Sequence, residues 1–225
     1  MNTKFNEQRY KGKMPVDGVD SIRIKFILKH IPDNKLNILD LGCWDGSYAI
    51  RYKKRTNVVY GVESSKTAAR KAKQRGILVS QGNFMEMNLK YKNFFDIVVA
   101  GEFIEHVFDT DLFLQKIRKL LKPNGKLILT TPNVASLPRR LLLLLGINPH
   151  LENRIIPGVS PGHIRYFTFT NIDDILRDNK FRVLNSESDV LNFNNRGTLY
   201  SSLIPKMYKK IGRQILVFAE KQEMI

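Results

Sequence analysis

Ile38-Leu39-Asp40-Leu41-Gly42-Cys43-Trp44-Asp45-Gly46 is the stretch that decides the fold. It starts within a short apolar run, 36–41, and crosses a glycine-containing turn, after which a helical pattern resumes over 47–55. Glycine lets the backbone approach a ligand closely, and a helix start offers N–H groups without intrahelical acceptors. The stretch therefore predicts a buried strand, a ligand-binding loop and a helix, in that order.

The same alternation of strands and helices continues on both sides of this stretch. Helices are predicted at 19–31, 64–75, 109–121 and 170–178, the last with a capping box formed by Thr170 and Asp173. Further strands are predicted at 57–62, 77–80, 95–100, 126–131, 181–184 and 213–220. Short buried strands between helices indicate a parallel sheet covered on both faces. We expect a doubly wound α/β fold with a mostly parallel seven-stranded sheet, in one domain over 1–225.

The segment 134–168 interrupts this alternation and is predicted to be an insertion on the substrate side. Its predicted helix, 134–145, overlaps Pro138–Gly146, a stretch that is basic and then uniformly apolar. Residues 138–147 can lie on a membrane surface, close over an apolar substrate, or pack as a buried amphipathic helix on the sheet edge. The basic residues around the insertion are Arg139, Arg140, Arg154 and Arg165. They suit a phosphorylated or carboxylated acceptor, or form a solvated face.

Composition narrows the class of protein. The net charge of +16 favours anionic partners, although a basic and inert surface fits it equally well. Aromatic residues do not alternate with the basic clusters, which makes a stacking platform for nucleic acid the less favoured interpretation. The single cysteine, Cys43, and the lack of an apolar signal core in 1–8 favour a cytosolic protein, at most peripheral to a membrane.

Polar residues follow two further strands at the same predicted edge of the sheet. Glu63 ends the second strand about twenty residues after the loop, where a carboxylate accepts the ribose hydroxyls of an adenosine cofactor. Asn83 and Phe84 follow the third strand and offer an amide and an aromatic face to an adenine, or form an ordinary turn with a core aromatic. A dinucleotide is disfavoured, because the phosphate-binding glycines would have to stand at Trp44 and near Ala49.

The motifs together resemble those of class I S-adenosylmethionine-dependent methyltransferases. The matching stretches are 38–46, Gly61-Val62-Glu63-Ser64, 95–100, Glu105-His106-Val107, 121–126 and Gly162-His163-Ile164-Arg165-Tyr166-Phe167-Thr168. The chain is most similar to O-methyltransferases of quinone biosynthesis and to methyltransferases of sugar and lipopolysaccharide pathways.

The resemblance implies S-adenosylmethionine as the cofactor. The residues that it assigns to cofactor binding lie in or beside the loops at the strand ends: Asp40, Gly42, Trp44, Gly46, Glu63, Ser64, Asn83, Phe84 and Gly101. The sequence departs from the family at two of them, because the family usually has glycine at Trp44 and aspartate at Asn83.

Glu102, Glu105 and His106 are the candidate reactive groups. Their i, i+3, i+4 spacing would place them on one face of a helix after the fourth strand, and His163 could join them. Three interpretations stay open. The four residues bind a divalent metal such as Mg²⁺, as the resemblance implies; or His106 is a metal-free general base supported by Glu102 and His163; or the cluster is structural.

The sequence thus predicts methyl transfer to an oxygen of a small-molecule, glycan or lipid-like acceptor. Two alternatives remain. The positive charge favours an RNA methyltransferase. The substitutions at Trp44 and Asn83 suggest a non-catalytic binding module that keeps the fold.

Overall fold

The structure, a computed structural model, describes residues 20–53, 58–149, 162–193 and 199–223. Five strands form the parallel part of the sheet: β1 (Asn37–Leu41), β2 (Val58–Glu63), β3 (Leu78–Gln81), β4 (Phe95–Gly101) and β5 (Leu121–Pro132). Four later strands follow: β6 (Phe181–Glu187), β7 (Leu191–Asn192), β8 (Tyr200–Ser201) and β9 (Gln214–Lys221). The helices are α1 (Asp20–Lys29), α2 (Ala49–Tyr52), α3 (Lys66–Gln74), α4 (Thr110–Leu120), α5 (Leu137–Leu144), α6 (Phe169–Asp178) and α7 (Leu203–Met207).

The main sheet has seven strands in the order β3-β2-β1-β4-β5-β9-β6. The first five are parallel, and β9 runs antiparallel to both β5 and β6. The chain builds outward from β1 to β3 and then returns to place β4 on the other side of β1. This reversal creates a switch point beyond the carboxyl ends of β1 and β4, where ligands bind in open α/β sheets. The predicted fold class is confirmed.

The core lies on both faces of the sheet because side chains alternate along each strand. Leu39 and Val98 belong to one buried cluster, whereas their neighbours Ile38 and Ile97 belong to the other. Both faces are covered, so these central strands consist of continuous apolar runs rather than alternating polar and apolar residues. The backbone at their carboxyl ends is therefore held rigidly.

Two local expectations need correction. The α6 helix is capped by Thr168, whose side chain accepts from the backbone N–H of Asn171, and not by Thr170. Glu102–His106 does not form an α-helix: Glu102 has a φ of 52°, and a single 3₁₀ turn follows over Ile104–His106. The return from β6 to β9 contains the small β7–β8 sheet and α7.

The insertion forms a shorter helix than predicted, α5, and residues 150–161 with Arg154 lie outside the described residues. The expectation of one domain over 1–225 stays a prediction. Among the described residues, the search for a helix long and apolar enough to cross a membrane found none.

Candidate functional site at the carboxyl edge of the sheet

The loop after β1 folds over the end of β2. The backbone N–H groups of Gly42 and Cys43 both donate to the Val62 carbonyl, at 2.8 and 3.2 Å. Gly42 is exposed at a φ of 71°, and a Cβ there would stand 3.0 Å from the Phe103 ring. Trp44 has a φ of 51°, a left-handed conformation that favours glycine. The glycine usual in this position of the resembling family thus corresponds to a backbone requirement, which Trp44 meets with strain.

Gly46 and Gly101, two further glycines of the predicted site, differ in the space that their neighbours leave for a side chain. A Cβ on Gly46 would lie 3.0 Å from Cα of Ala72, so this buried glycine allows α3 to pack closely. A Cβ on Gly101 would meet protein only at Thr130 Oγ1, at 3.7 Å, which is an ordinary contact. The structure thus gives Gly46 a packing role, its contact with the cofactor stays a prediction, and Gly101 is compatible with a ligand nearby.

Glu63 joins the loop to the end of β2. Its Oε2 accepts from the Trp44 backbone N–H at 3.0 Å, and its Oε1 accepts from the Ser65 N–H at 2.7 Å and from the Ser64 hydroxyl at 3.3 Å. Burial raises the pKa of Glu63, and these three hydrogen bonds act against that shift. The carboxylate is held in one orientation at the edge where a ribose was expected.

Asp40 lies beside Glu63 on the central strand. It pairs in register with Gly61 of β2 and Val99 of β4. Its pKa is raised to about 8, mainly by burial and also by the Glu63 carboxylate, while the Arg23 guanidinium acts in the opposite direction. The carboxyl oxygens of Asp40 and Glu63 below an exposed glycine turn are hydrogen-bond acceptors suited to the hydroxyls of an adenosyl compound.

The turn after β3 places one of the predicted cofactor residues in the core. The Phe84 ring is 1% exposed and packs edge-on against Phe103 and Phe113, so it belongs to the core and offers no face to an adenine. Asn83 holds the turn, because its Oδ1 accepts from the Met85 N–H at 3.1 Å and its Nδ2 donates to Glu86 at 2.7 Å.

Lys116 is a contributor to this turn that sequence reasoning missed. Its Nζ donates to three carbonyls of the turn, those of Phe84, Met85 and Met87, at 2.8 to 2.9 Å. Nothing in the α4 sequence distinguishes Lys116 from its basic neighbours, because its partners lie about thirty residues away.

Glu102 occupies the end of β4 with a second left-handed backbone. Its carboxylate accepts from the Thr130 hydroxyl at 3.1 Å and lies 3.8 Å from the Arg23 guanidinium. Burial raises the pKa of Glu102, while Arg23 and the Thr130 hydroxyl lower it. The carboxylate is thus engaged with β5 and α1.

Arg23 is the second residue that sequence reasoning missed. This buried guanidinium on α1 lies near Glu102 and acts electrostatically on Asp40, and it stands 5.3 Å from the Tyr48 ring centroid. An arginine between apolar residues of a predicted helix is the sequence signal that could have identified it. Such a residue is placed for burial, and arginine is rarely buried without a specific role. It places a positive charge at the carboxyl edge of the sheet, where the cofactor is expected.

Glu105, His106 and His163 form a compact cluster. One ligand atom from each of the three lies within 4.8 Å of the others. Glu105 is 1% exposed; its Oε2 accepts from the Thr131 hydroxyl at 3.0 Å, and its Oε1 stands 3.8 Å from His163 Nε2. His106 Nδ1 lies 2.9 Å from the Gly162 carbonyl, which requires the proton on Nδ1 and puts a lone pair on Nε2.

The cluster contains three of the four predicted metal-binding residues, and Glu102 is not one of them. The reason is the left-handed backbone at Glu102, which breaks the helical spacing on which the expectation relied. One carboxylate and two imidazoles suit zinc, manganese, cobalt or iron, whereas Mg²⁺ prefers oxygen ligands. The cluster therefore fits a divalent transition metal and does not fit Mg²⁺ well.

Comparisons with known proteins agree with this geometry. Residues 17–186 match the model of a family described as a methyltransferase domain. A ubiquinone biosynthesis O-methyltransferase of Coxiella burnetii is 31% identical over 128 residues, 54% of this chain and 55% of that protein. One of Pelagibacter ubique is 29% identical over 134 residues, 53% and 56% of the two chains. The chain thus matches these curated relatives over about half of their length.

Solved structures share the fold. A possible histamine N-methyltransferase of Thermotoga maritima aligns with a TM-score of 0.67 at 19% identity, covering 90% of this chain and 89% of that one. The magnesium protoporphyrin IX methyltransferase of Synechocystis PCC 6803 with bound S-adenosylhomocysteine aligns at 0.61 and 17% identity, covering 96% and 92%. The family match spans well over half of the chain, and the fold and strand-end carboxylates agree with it. The chain therefore belongs to this methyltransferase-domain family and has the fold of S-adenosylmethionine-dependent methyltransferases.

Proposed function

We propose that the protein transfers the methyl group of S-adenosylmethionine to a hydroxyl oxygen of a small, partly apolar acceptor, with a quinone-like ring as the leading candidate. The observation that carries this proposal is the hydrogen bond of His106 Nδ1 to the Gly162 carbonyl. It orients an imidazole with a basic Nε2 beside the carboxyl edge of β4. The names of the Coxiella and Pelagibacter relatives support a phenolic acceptor.

The cofactor would be held by Asp40, Gly42 and Glu63, with the backbone near Gly101 on its other side. Glu63 is oriented by the Trp44 and Ser65 N–H groups to accept ribose hydroxyls, and the exposed Gly42 leaves room above it. The buried Glu63 carboxylate favours a cationic ligand, and the Arg23 guanidinium suits the carboxylate of that ligand. When bound, the cofactor supplies an electrophilic methyl group on a sulfonium.

In the proposed reaction His106 removes the acceptor proton. Its Nε2 would take the proton of an acceptor hydroxyl whose oxygen faces the methyl group that bound S-adenosylmethionine would supply, with S-adenosylhomocysteine as the leaving group. The Gly162 carbonyl fixes the tautomer, and the Glu105 carboxylate close to the pair of imidazoles stabilises the positive charge that develops there. This is a single displacement with no covalent enzyme intermediate.

Metal assistance at Glu105, His106 and His163 is the competing form of the same proposal. A divalent ion there would lower the pKa of the acceptor hydroxyl by Lewis-acid action, and His106 would then be a ligand instead of the base.

The acceptor side of the proposal relies on exposed apolar groups next to this cluster. Phe108, two residues after His106, is 81% exposed, and Arg165 stands 5.4 Å from its ring centroid and donates to its carbonyl at 2.6 Å. Ile164 is exposed beside His163. An aromatic or lipid-like acceptor with an anionic group fits this combination, and peripheral membrane contact through 138–147 would suit such an acceptor.

The test measures methyl transfer from radiolabelled S-adenosylmethionine to a panel of catechols and hydroxylated quinones. We expect O-methylated product with the wild type. His106→Gln should lower turnover about 10²- to 10⁴-fold, the range of general-base catalysis, with unchanged affinity for S-adenosylhomocysteine. His30→Gln is the matched control, because His30 packs against Phe26 and Phe218 and lies outside the site. Full activity of His106→Gln would exclude both forms of the proposal.

A further inference from the structure

An apolar surface is exposed on α5 and on the segment around α7. We call it the leucine surface and define it by six side chains: Leu141, Leu144, Leu145, Leu203, Met207 and Tyr208. Leu144 is 82% exposed and Met207 is 77% exposed. Neighbouring large apolar side chains exposed to this degree are uncommon on soluble monomers and mark an interaction site.

The two segments lie side by side because side-chain hydrogen bonds, and one backbone bond from the Asn133 N–H to the Arg213 carbonyl at 2.8 Å, join them. Arg140, on α5, donates through Nη2 to the Lys210 carbonyl at 3.1 Å. Asn133, just before α5, donates through Nδ2 to the carbonyls of Lys210 at 3.0 Å and Gly212 at 2.8 Å. The apolar side chains are therefore carried on two segments that are held together beside each other.

Charge identifies the partner. Residues 134–149 and 199–213 contain the basic residues Arg139, Arg140, Lys206, Lys209, Lys210 and Arg213, and their sequence has no acidic residue. Arg140, Lys206 and Lys210 are exposed. An apolar surface surrounded only by basic residues is not required for a protein partner with an apolar face. It is what a bilayer with anionic headgroups requires.

We propose that the leucine surface binds an anionic lipid bilayer. Its apolar side chains would enter the boundary between headgroups and acyl chains, and the three exposed cations would contact lipid phosphates. Neither contribution suffices alone, since apolar burial is limited to the tips of a few side chains and surface charge alone is screened by salt.

The leucine surface begins beside the candidate site. Arg139, at the start of α5, donates to the Asn133 carbonyl at 2.8 Å and interacts electrostatically with Glu102 and Tyr166. Docking would thus turn the mouth of the site toward the bilayer. This consequence rests on the proposed function and gives the acceptor class as a hydroxyl compound dissolved in, or anchored to, the membrane.

The experiment is flotation of the full chain with vesicles, which does not depend on methyl transfer. We compare phosphatidylcholine vesicles with vesicles containing 30 mol% phosphatidylglycerol, a chosen probe composition, at low and high salt. We expect a partition coefficient about tenfold higher with the anionic vesicles, in line with a few surface cations at low salt. Equal binding to both vesicle types, or no binding to either, would overturn the proposal.

Matched variants separate the leucine surface from the general positive charge of the protein. The double variant Leu144→Ser, Met207→Ser should lose most of the vesicle binding. Leu78→Ser is the control, because Leu78 is 53% exposed on β3, the edge strand at the far end of the sheet. Retained binding by the double variant would mean that overall charge is responsible and would overturn the proposal, provided that circular dichroism shows all variants folded.

A second copy of the chain is the other occupant to exclude. If light scattering shows a dimer that the double variant abolishes, and the vesicles bind no protein, the surface is a dimer interface and the bilayer proposal is wrong. Vesicle binding together with failed methyl transfer would contradict only the proposed function, so the two proposals fail separately.

Discussion

The backbone N–H of Trp44 donates to Glu63 Oε2 at 3.0 Å, which ties the loop after β1 to the end of β2. Trp44 makes this contact from a left-handed backbone with a φ of 51°. The hydrogen bond is charge-assisted, and such bonds contribute about 1.5 to 3 kcal/mol. The strain of a non-glycine residue in this conformation costs about 1 to 2 kcal/mol. The contribution of the hydrogen bond and the cost of the strained backbone are comparable. The loop can therefore keep an unfavourable residue at this position.

Replacement of Trp44 should reveal that strain as a difference between two variants. Trp44→Gly and Trp44→Ala both lose the indole, but only glycine adopts the conformation without strain. After subtraction of the greater entropy of glycine in the unfolded chain, we expect Trp44→Gly to be more stable than Trp44→Ala by about 0.5 to 1 kcal/mol. Urea unfolding followed by circular dichroism measures the difference.

The control position, Ile50, should show the opposite order of stability for its alanine and glycine variants. Ile50 is exposed within α2, where helical backbone favours alanine over glycine by about 1 kcal/mol. Ile50→Ala should therefore be the more stable of that pair. An alanine variant at position 44 as stable as the glycine variant would show that the backbone there is unstrained.

Removal of the Glu63 carboxylate should weaken cofactor binding. Glu63→Ala loses both the proposed ribose acceptor and the anchor of the Trp44 and Ser65 N–H groups. We expect at least about a tenfold higher Kd for S-adenosylhomocysteine, equivalent to about 1.4 kcal/mol. Calorimetric titration measures it directly.

Glu187→Gln provides a comparison at the opposite end of the sheet, where Glu187 pairs with Lys29 on the surface. This variant should bind the cofactor product with wild-type affinity. Unchanged affinity in Glu63→Ala would refute the ribose assignment, and undetectable binding by the wild type at millimolar ligand would refute cofactor binding altogether.

The fold could be predicted from the sequence because its signals are local. The apolar run around Ile38 and the apolar strand that begins at Phe95 fall where β1 and β4 lie, and Gly76 marks the end of α3 with a φ of 78°. The periodicity of apolar residues and the positions of glycine and proline can be read without knowledge of the rest of the chain.

The site could be predicted only in part, because its contacts are long-range. Arg23 and Glu102 are 79 positions apart in the sequence, and no local pattern predicts that they pair. The i, i+3, i+4 spacing of Glu102, Glu105 and His106 assumed a helix, which the left-handed backbone at Glu102 excludes. Phe84 was ambiguous because a core aromatic and a ligand-stacking aromatic look alike in sequence.

The buried Asp40 should make stability depend on pH. Burial raises the pKa of Asp40 to about 8, whereas an unfolded aspartate titrates near 3.8. Between these values the folded state holds a proton that the unfolded state has lost, so this group lowers stability as the pH rises, by at most about 1.4 kcal/mol per pH unit. Asp40→Asn removes this dependence and should be more stable than the wild type at pH 8 but not at pH 4.

Urea unfolding of both proteins from pH 4 to pH 8 tests this, with Asp96→Asn as the control at a half-buried carboxylate that pairs with Lys122. The stability difference between wild type and Asp40→Asn should grow steadily over that interval. A difference that is constant with pH would mean that Asp40 is ionised throughout.

The cluster of Glu105, His106 and His163 should discriminate between metals. Two imidazoles and one carboxylate favour Zn²⁺ or Co²⁺, so calorimetry should detect these ions at micromolar concentrations at which Mg²⁺ gives no signal. His163→Ala should raise the Kd for Zn²⁺ by about tenfold or more, because it removes one of three ligands. Glu102→Gln should leave it unchanged, since Glu102 is bonded to Thr130 and lies outside the cluster. Tight Mg²⁺ binding that Glu102→Gln abolishes would restore the four-residue oxygen-rich site, and activity unaffected by chelators in a metal-free protein would leave His106 as the base.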